Sequence, residues 1–586
     1  MNNAMRINRK IPFIIILLFL SISINSFAHV FEVDGIYYEI TSLSEYTCQV
    51  TVHEDEYSGD IVIPYKIPFN GKVLNVTAIG NSAFKDSKIS SIRIAEGVST
   101  ISNAAFRNCD SLRQVTLPNS INNIGQYAFY SCANLDSINL PKELTDIGDY
   151  SFAYCTNLCE IKTPSVLNEI KKYSFSGCDN LKTINTSATI IGDNAFSNCT
   201  KLDSCILPHN LQIIGNSAFY NTGFKSFVIP NSVTQLGSGA FGSCNLLIDF
   251  TIGSGVTYLK GNPIYNCENL NKLIILDSLT PLYCDFSPSS YSNVENFYYD
   301  YGAWEHTDCF YVRPGGWSEI KAKHIYIGRD VIMQNKEDYI DRDSYDYTIV
   351  TKHYYSEPPF CGNTNIESII FGESVQYIPN TKILSPKKYP ADTQTIFYIK
   401  GFLQNCANLK NVILGENITN IPQYTFYNVS NITNIEIPDK IIDIEDFAFY
   451  NCSNLSSLLL GENCTSIGYF AFGNCSKLAE IRSLNTTVPN IYNNTFNTET
   501  YLYSQVYVPI TSLDLYKTDT CWGNFWNISD IESGVEEVYV DEEDYSNALI
   551  EIYNLSGLKV GDSTENLAPG VYIKRQGRKV EKIAIQ

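Results

Sequence analysis

The sequence predicts an α/β repeat solenoid, in which each coil contributes a short outer helical segment and one strand of a parallel inner sheet. Three observations carry this reading. Phenylalanine recurs at 84, 106, 129, 152, 175, 196, 219 and 241, and again at 426, 449, 472 and 496, at spacings of 21 to 24 residues. A fixed period in that range is the signature of stacked coils. Within residues 124–146, Ile124, Ala128, Cys132 and Leu135 lie at i, i+4, i+8 and i+11, a short helical stripe. Leu135, Ile138 and Leu140 then alternate and stop at Pro141, which cannot donate to a strand ladder. No such unit buries its own apolar face, so each needs a neighbour above and below. Adjacent strands would sit about 4.8 Å apart.

The order along the chain follows. Arg6, Arg9 and Lys10 precede an apolar run over 11–24, and Ser26-Phe27-Ala28 supplies small residues at −3 and −1. Residues 1–28 therefore read as a secretory signal peptide cut after Ala28. Short alternating strands over 29–78 form a β-rich N-terminal cap that covers the open edge of the first coil. Regular repeats occupy 79–275. Over 276–365 the period breaks around an aromatic insertion, 292–317, and an acidic one, 336–347. A third insertion lies near 379–398, and all three are expected to leave the solenoid as loops. A second repeat block covers 366–498. A closing cap with Trp522 and Phe525 covers 499–531, and a strand-rich tail covers 532–586.

The unit I-G-x-x-A-F-x-x-C-x-x-L-x-x-I-x-L-P closely resembles the bacterial surface leucine-rich repeats typified by the BspA adhesins. The resemblance implies a leucine-rich-repeat-like coil of a surface protein. With the signal peptide, the expectation is an exported chain, at the cell surface or outer membrane or secreted, and the lack of a catalytic motif reads as no enzyme. The resemblance also implies a protein ligand: host matrix proteins such as fibronectin or fibrinogen, or other bacterial cells. The tail is similar to the C-terminal sorting domain of Bacteroidetes type IX secretion at Tyr553, Gly557, Leu567, Gly570, Tyr572 and Lys582, without its Tyr-Pro-Asn-Pro opening.

The net charge of −21 argues against nucleic acid as a partner. Loss of the signal peptide with its three basic residues would leave −24. No later run of 18 apolar residues suggests a membrane span. Ten of the 18 cysteines (109, 132, 155, 178, 199, 244, 267, 406, 452, 475) stand three residues after the phenylalanine slot. Cys205 and Cys464 occupy apolar slots. The column reads as small buried hydrophobes. Disulfides between stacked neighbours fit poorly, because their side chains point the same way. Thr222 and Val429 fill the slot without sulfur. Asn198, Asn451 and Asn474 precede Cys-Ser/Thr only because the repeat puts Asn there.

No catalytic motif stands out, and His29, His53, His209, His306, His324 and His353 form no ligand spacing. Asp338, Asp341, Asp343 and Asp346 lack the glycine and terminal glutamate of a calcium loop. No metal or other cofactor is called for. Two binding candidates remain. One is the aromatic insertion, with Tyr298, Tyr299, Tyr301 and Trp304; such rings grip partners, or else pack the coils beneath. The other is the outward column of the sheet, which runs Thr116, Asn139, Lys162, Asn185, Ile206, Val228, Thr251, Ile274 and, later, Ile370, Ile413, Glu436, Leu459, Arg482. It turns aliphatic at Ile206, Val228 and Ile274. Branched residues suit any sheet surface, but a contiguous exposed apolar patch marks a contact site. The functional expectation is an exported protein-binding or adhesion module. The alternative is a structural or glycan-binding surface protein. An enzyme hidden in 277–360 is a third class, for which the insertion supplies no paired carboxylate or metal cluster.

Overall fold

Most coils carry two short strands, not one, joined by a run of tight turns; Leu135, Ile138 and Leu140, expected as a strand, lie in a stretch that pairs with no described neighbouring strand. The computed structural model describes residues 30–53, 56–285, 311–313, 317, 319–333, 339–342, 349–352, 354–356, 358–379, 381–384, 397–531, 550–554, 559–561, 570–576 and 579–585. The signal-peptide residues and Tyr298, Tyr299, Tyr301 and Trp304 lie outside them. Contacts divide the chain into two units, Met1–Leu167 and Asn168–Gln586, and both contain the same repeat.

In the first unit one parallel ladder runs through Lys72–Ile79, Thr100–Ile101, Asn123–Ile124 and Asp146–Ile147. A second runs through Ser58–Ile63, Lys88–Ile94 and Gln114–Thr116. The second ladder is the expected sheet strand; the first lies on the Ile-Gly dipeptide, too short for periodicity to reveal. The glycine is required there because a Cβ on Gly148 would lie 2.4 Å from the Gln126 nitrogen in the coil before. An antiparallel meander, Val30–Val33, Ile36–Ser42 and Thr47–Val50, precedes the ladders. Its last strand pairs parallel with Lys72–Ile79, so the β-rich cap continues the stack.

The stripe expected to be helical is a succession of turns. Around Phe129, Tyr127 and Ser131 take left-handed φ values of 56° and 57°, and such residues cannot propagate an α-helix. The amides then alternate. Ala128, Tyr130 and Cys132 donate to carbonyls three residues back. Tyr127, Phe129 and Ser131 donate to Asp149, Ser151 and Ala153 of the next coil. The four-residue spacing that mimics a helix is the spacing of left-handed positions. It also explains the Asn-Cys pairs: Asn198, Asn451 and Asn474 have φ of 61°, 60° and 62°, a region asparagine tolerates. Among the described residues α-helix occurs only at Thr498–Tyr503 and Leu513–Thr518.

The core is a column of phenylalanine rings. Phe84, Phe106, Phe129 and Phe152 are fully buried and stack at centroid distances of 5.2, 4.9 and 5.1 Å with planes within 10°. Tyr57 covers Phe84 at 4.8 Å. In the second unit Phe426, Phe449, Phe472 and Phe496 repeat the arrangement at 4.8, 5.0 and 5.4 Å. The small residue before each ring lets the coils close, and its carbonyl accepts the phenylalanine N–H of the coil before, as from Phe106 to Ala128 at 2.7 Å.

Beside the rings run the cysteines. The Cys109, Cys132 and Cys155 thiols donate to the carbonyls of Phe84, Phe106 and Phe129, one coil back, at 2.9, 3.1 and 3.2 Å. Cys199, Cys244, Cys267, Cys452 and Cys475 do the same. All ten column cysteines are buried free thiols. Thr222 donates instead to Phe219 of its own coil, and Val429 has no donor to offer.

Over the irregular region the stack persists. Lys272–Ile275, His324–Ile327, Ser368–Phe371 and Asn411–Ile413 form one ladder in register. Trp317 and Phe360 take the ring slot and stack at 5.4 Å. Buried Asn363 stands in the cysteine slot and donates to the Trp317 and Ile320 carbonyls. The insertions expected as loops contain paired strands: Tyr339–Arg342 with Ile349–Lys352, and Thr381–Leu384 with Phe397–Lys400. At the far end Trp522 and Phe525 are buried on Phe496, and the Trp522 indole donates to Pro489 O at 2.8 Å. In the tail, Ile550–Asn554 pairs antiparallel with Lys559–Gly561 and Gly570–Gln576, and the latter with Lys579–Ile585.

Phe152→Ala should lower stability by about 3–5 kcal/mol, read as a fall in the urea midpoint; an unchanged unfolding curve would reject the register. Alkaline pH should loosen the column. Burial raises the Cys109, Cys155 and Cys267 thiols from 9.0 to about 12. The unfolded thiols ionise first, so this contribution is complete below the unfolded pKa and is lost as pH rises toward the folded one. The urea midpoint should therefore fall above pH 9, and fall less in a C109V/C132V/C155V variant. In the native protein at pH 8, thiol reagents should label the column slowly.

Candidate functional site

The outward column divides the second unit into open and closed stretches. Ile206 and Val228, on consecutive coils, are 62% and 63% exposed. Beyond them the same face closes: Thr251 is buried, Ile274 half-buried, and Ile370 only 3% exposed. Ile413 is exposed again. In the first unit Thr116, Asn139 and Lys162 are exposed and polar. The aliphatic part of the column open to a partner is thus shorter than the residue pattern implies, and centres on Ile206 and Val228.

Sequence reasoning missed why the face closes. Tyr326 stands in register between Ile274 and Ile370, and its hydroxyl donates to the Asp277 carboxylate at 2.7 Å. Burial and that carboxylate raise the Tyr326 hydroxyl far above the usual phenol range. Beside it His324 Nδ1 and Ser368 Oγ are 2.9 Å apart, and burial lowers the imidazole's pKa. Arg329 is fully buried and donates to the carbonyls of Gly253 and Ser254 at 3.0 and 2.8 Å; burial lowers its pKa to about 10. These polar groups tie distant parts of the stack together. They sit in the ladder and turns and make a built structural plug.

Ile206 and Val228 themselves sit at a break. Ser204–Ile206 ends one sheet and Ser226–Val228 begins another. Between them the coil is shortened, Thr222 replaces cysteine, and Phe224 and Phe227 pack edge-to-face at 4.9 Å under the outward Val228. The strand is therefore held by rings below, and its outer side chain is free to make contacts. Asp341 lies in a hairpin strand, while Asp338, Asp343 and Asp346 lie outside the described residues. Among the described residues no cluster of three or more His, Cys, Asp or Glu could hold a metal ion. None of their helices is long and apolar enough to cross a membrane.

The profile of the BspA type leucine rich repeat region matches six copies, over residues 77–190, 183–293 and 395–516. The chain belongs to that family. No curated protein matches this BspA-type repeat protein in sequence. It is similar to the solved structure of a leucine-rich-repeat protein from Bacteroides ovatus, at 20% identity over 77% of this chain and 94% of that one, with a TM-score of 0.39. A leucine rich cell surface protein from Faecalibacterium prausnitzii is similar at 20% identity over 78% and 94%, with a TM-score of 0.31. The Treponema pallidum leucine-rich-repeat protein matches at 21% identity over 37% and 90%, with a TM-score of 0.29. A protein-interaction or surface role is what this family suggests.

Charge should be tolerated on the open stretch and not on the closed one. Val228→Glu should change stability by within about 0.5 kcal/mol. Ile370→Glu, at an equivalent outward position, buries a carboxylate and should unfold the coil or lower the urea midpoint sharply. Equal tolerance would show that the face is open throughout.

Proposed function

We propose that this is an exported cell-surface adhesion module that grips a protein through the open aliphatic stretch of its second unit. The observation that carries the reading is the pair Ile206 and Val228, on consecutive coils and the most exposed aliphatic residues of the outward column among the described residues. Contact sites favour an apolar centre ringed by polar groups, and aromatic anchors concentrate the binding energy. The aromatic insertion, with Tyr298, Tyr299, Tyr301 and Trp304, enters the chain soon after Ile274 and would supply such anchors. The acidic remainder of the chain would steer approach more than it grips. Host matrix proteins such as fibronectin or fibrinogen are the partners the family resemblance favours. Glycan binding through the insertion's rings is the second reading, favoured by the density of tyrosine there.

Immobilised fibronectin and fibrinogen, set against a glycan array, test both. An I206E/V228E variant should fold normally and lose binding to the matrix protein by about tenfold or more, an expected scale for a central apolar contact. T116E/N139E should bind nearly as the native chain does. Equal losses would point to a diffuse charge effect. Array binding without matrix binding would favour the glycan reading.

A further inference from the structure

A second feature lies in the second repeat block, on the Ile-Gly ladder and away from Ile206 and Val228. Four consecutive coils place Asn420–Ile421, Asp443–Ile444, Ser466–Ile467 and Asn490–Ile491 side by side. The residue after the isoleucine is a tight slot that most other coils fill with glycine, as at Gly125 and Gly148, and others with Ser102 or Lys171. Here only Gly468 keeps it; a Cβ there would lie 2.5 Å from the Asp446 nitrogen. The coils on either side put Glu445 and Tyr492 in that slot. Gly468 thus forms a floor without a side chain, between a carboxylate on one side and a ring on the other. A groove of about 480 Å³ results, lined by Asp443, Glu445, Asp446, Ser466, Asn490 and Tyr492 among others. Glu445 and Tyr492 on the two flanking coils form its sides.

The lining has one sign. It contains three carboxylates and no lysine or arginine. Asp443 and Asp446 are each held through one oxygen, Glu445 through both. Asp443 Oδ1 accepts the Ser466 hydroxyl at 2.5 Å, and Asp446 Oδ1 accepts the Tyr469 N–H at 2.7 Å. Glu445 accepts the Gln423 N–H and the Asn420 amide. Among the described residues, Oδ2 of Asp443 and of Asp446 accepts no hydrogen bond. Tyr492 is 57% exposed, and Tyr469 is 44% exposed with its ring 6.2 Å away. Fixed carboxylates beside open tyrosine rings match a guanidinium, which pairs with carboxylate edges and stacks on aromatic faces. Three coils at about 4.8 Å spacing span about 10 Å, the reach of three to four extended residues.

We propose that this groove binds an extended, arginine-bearing segment of a partner protein. The site is separate from the aliphatic stretch, so the two readings stand or fall independently.

The test uses the full chain and a fluorescent Gly-Arg-Gly-Arg-Gly peptide, with its citrulline counterpart as the uncharged control. The D443N/E445Q/D446N variant removes the three charges and leaves each side chain one acceptor oxygen, so the amides at 443 and 446 still accept as Oδ1 does now and position 445 keeps one of its two hydrogen bonds. A D136N/E143Q/E160Q variant removes three exposed charges elsewhere. The arginine peptide should bind in a salt-dependent way, and the citrulline peptide at least about tenfold more weakly. The groove variant should lose about tenfold or more, Tyr492→Ala several-fold, and the control variant less than about twofold. Equal loss in the groove and control variants would overturn the proposal, since attraction would then be a property of the acidic chain as a whole. So would absence of binding at millimolar peptide, or a neutral oligosaccharide that binds the groove in preference. Matrix-protein binding that survives the groove variant leaves the aliphatic reading intact, and its loss in I206E/V228E leaves the groove intact.

Discussion

The fold depends on one repeated contact: a phenylalanine whose ring, N–H and carbonyl are all satisfied by neighbouring coils. The Phe106 ring lies between Phe84 and Phe129. Its N–H goes forward to Ala128, and its carbonyl accepts the Cys132 thiol from the next coil. Stacked rings contribute about 0.5–1.5 kcal/mol beyond their burial, but the polar atoms constrain more. A buried carbonyl or amide left without a partner costs about 1–3 kcal/mol. Removing one coil would strand atoms in two others. This is why the cysteine is there. It has the size of a small hydrophobe and a weak donor to spend on a carbonyl that would otherwise be served only by the amide of its own turn.

The same requirement accounts for the ends and the irregular middle. Tyr57 closes the first unit's column at Phe84, and Trp522 with Phe525 closes the second unit's at Phe496. Where the chain inserts extra residues, Trp317 and Phe360 keep the ring slot and Asn363 makes its hydrogen bonds to backbone carbonyls with an amide in place of a thiol. Across the inserted residues the ladder from Lys272–Ile275 through His324–Ile327 to Ser368–Phe371 stays in register.

The repeat, its period and its buried cysteines were legible because apolar residues must recur where coils touch. The turns were not. Periodicity at i, i+4 and i+8 is shared by a helix and by turns separated by left-handed residues, and only the φ values of Tyr127 and Ser131 tell them apart. Two-residue strands such as Asn123–Ile124 fall below any alternation test. Of the outward column, Ile206 and Val228 were read correctly as exposed. The burial of Ile370 was not foreseen, because Tyr326 lies in a stretch whose period had been lost. The acidic groove had a signal that went unused: Glu445 and Tyr492 stand on either side of Gly468 in a slot that most coils fill with glycine.

Amide hydrogen exchange resolved by residue tests the central contact most directly. The Phe84, Phe106 and Phe129 amides, each donating to the next coil, should exchange only when the first unit unfolds, with one common free energy of opening. The Asn119 amide, donating to the exposed Glu96 carboxylate, should exchange far faster. Phenylalanine amides that exchange as fast as Asn119, or each at its own low free energy, would contradict the account.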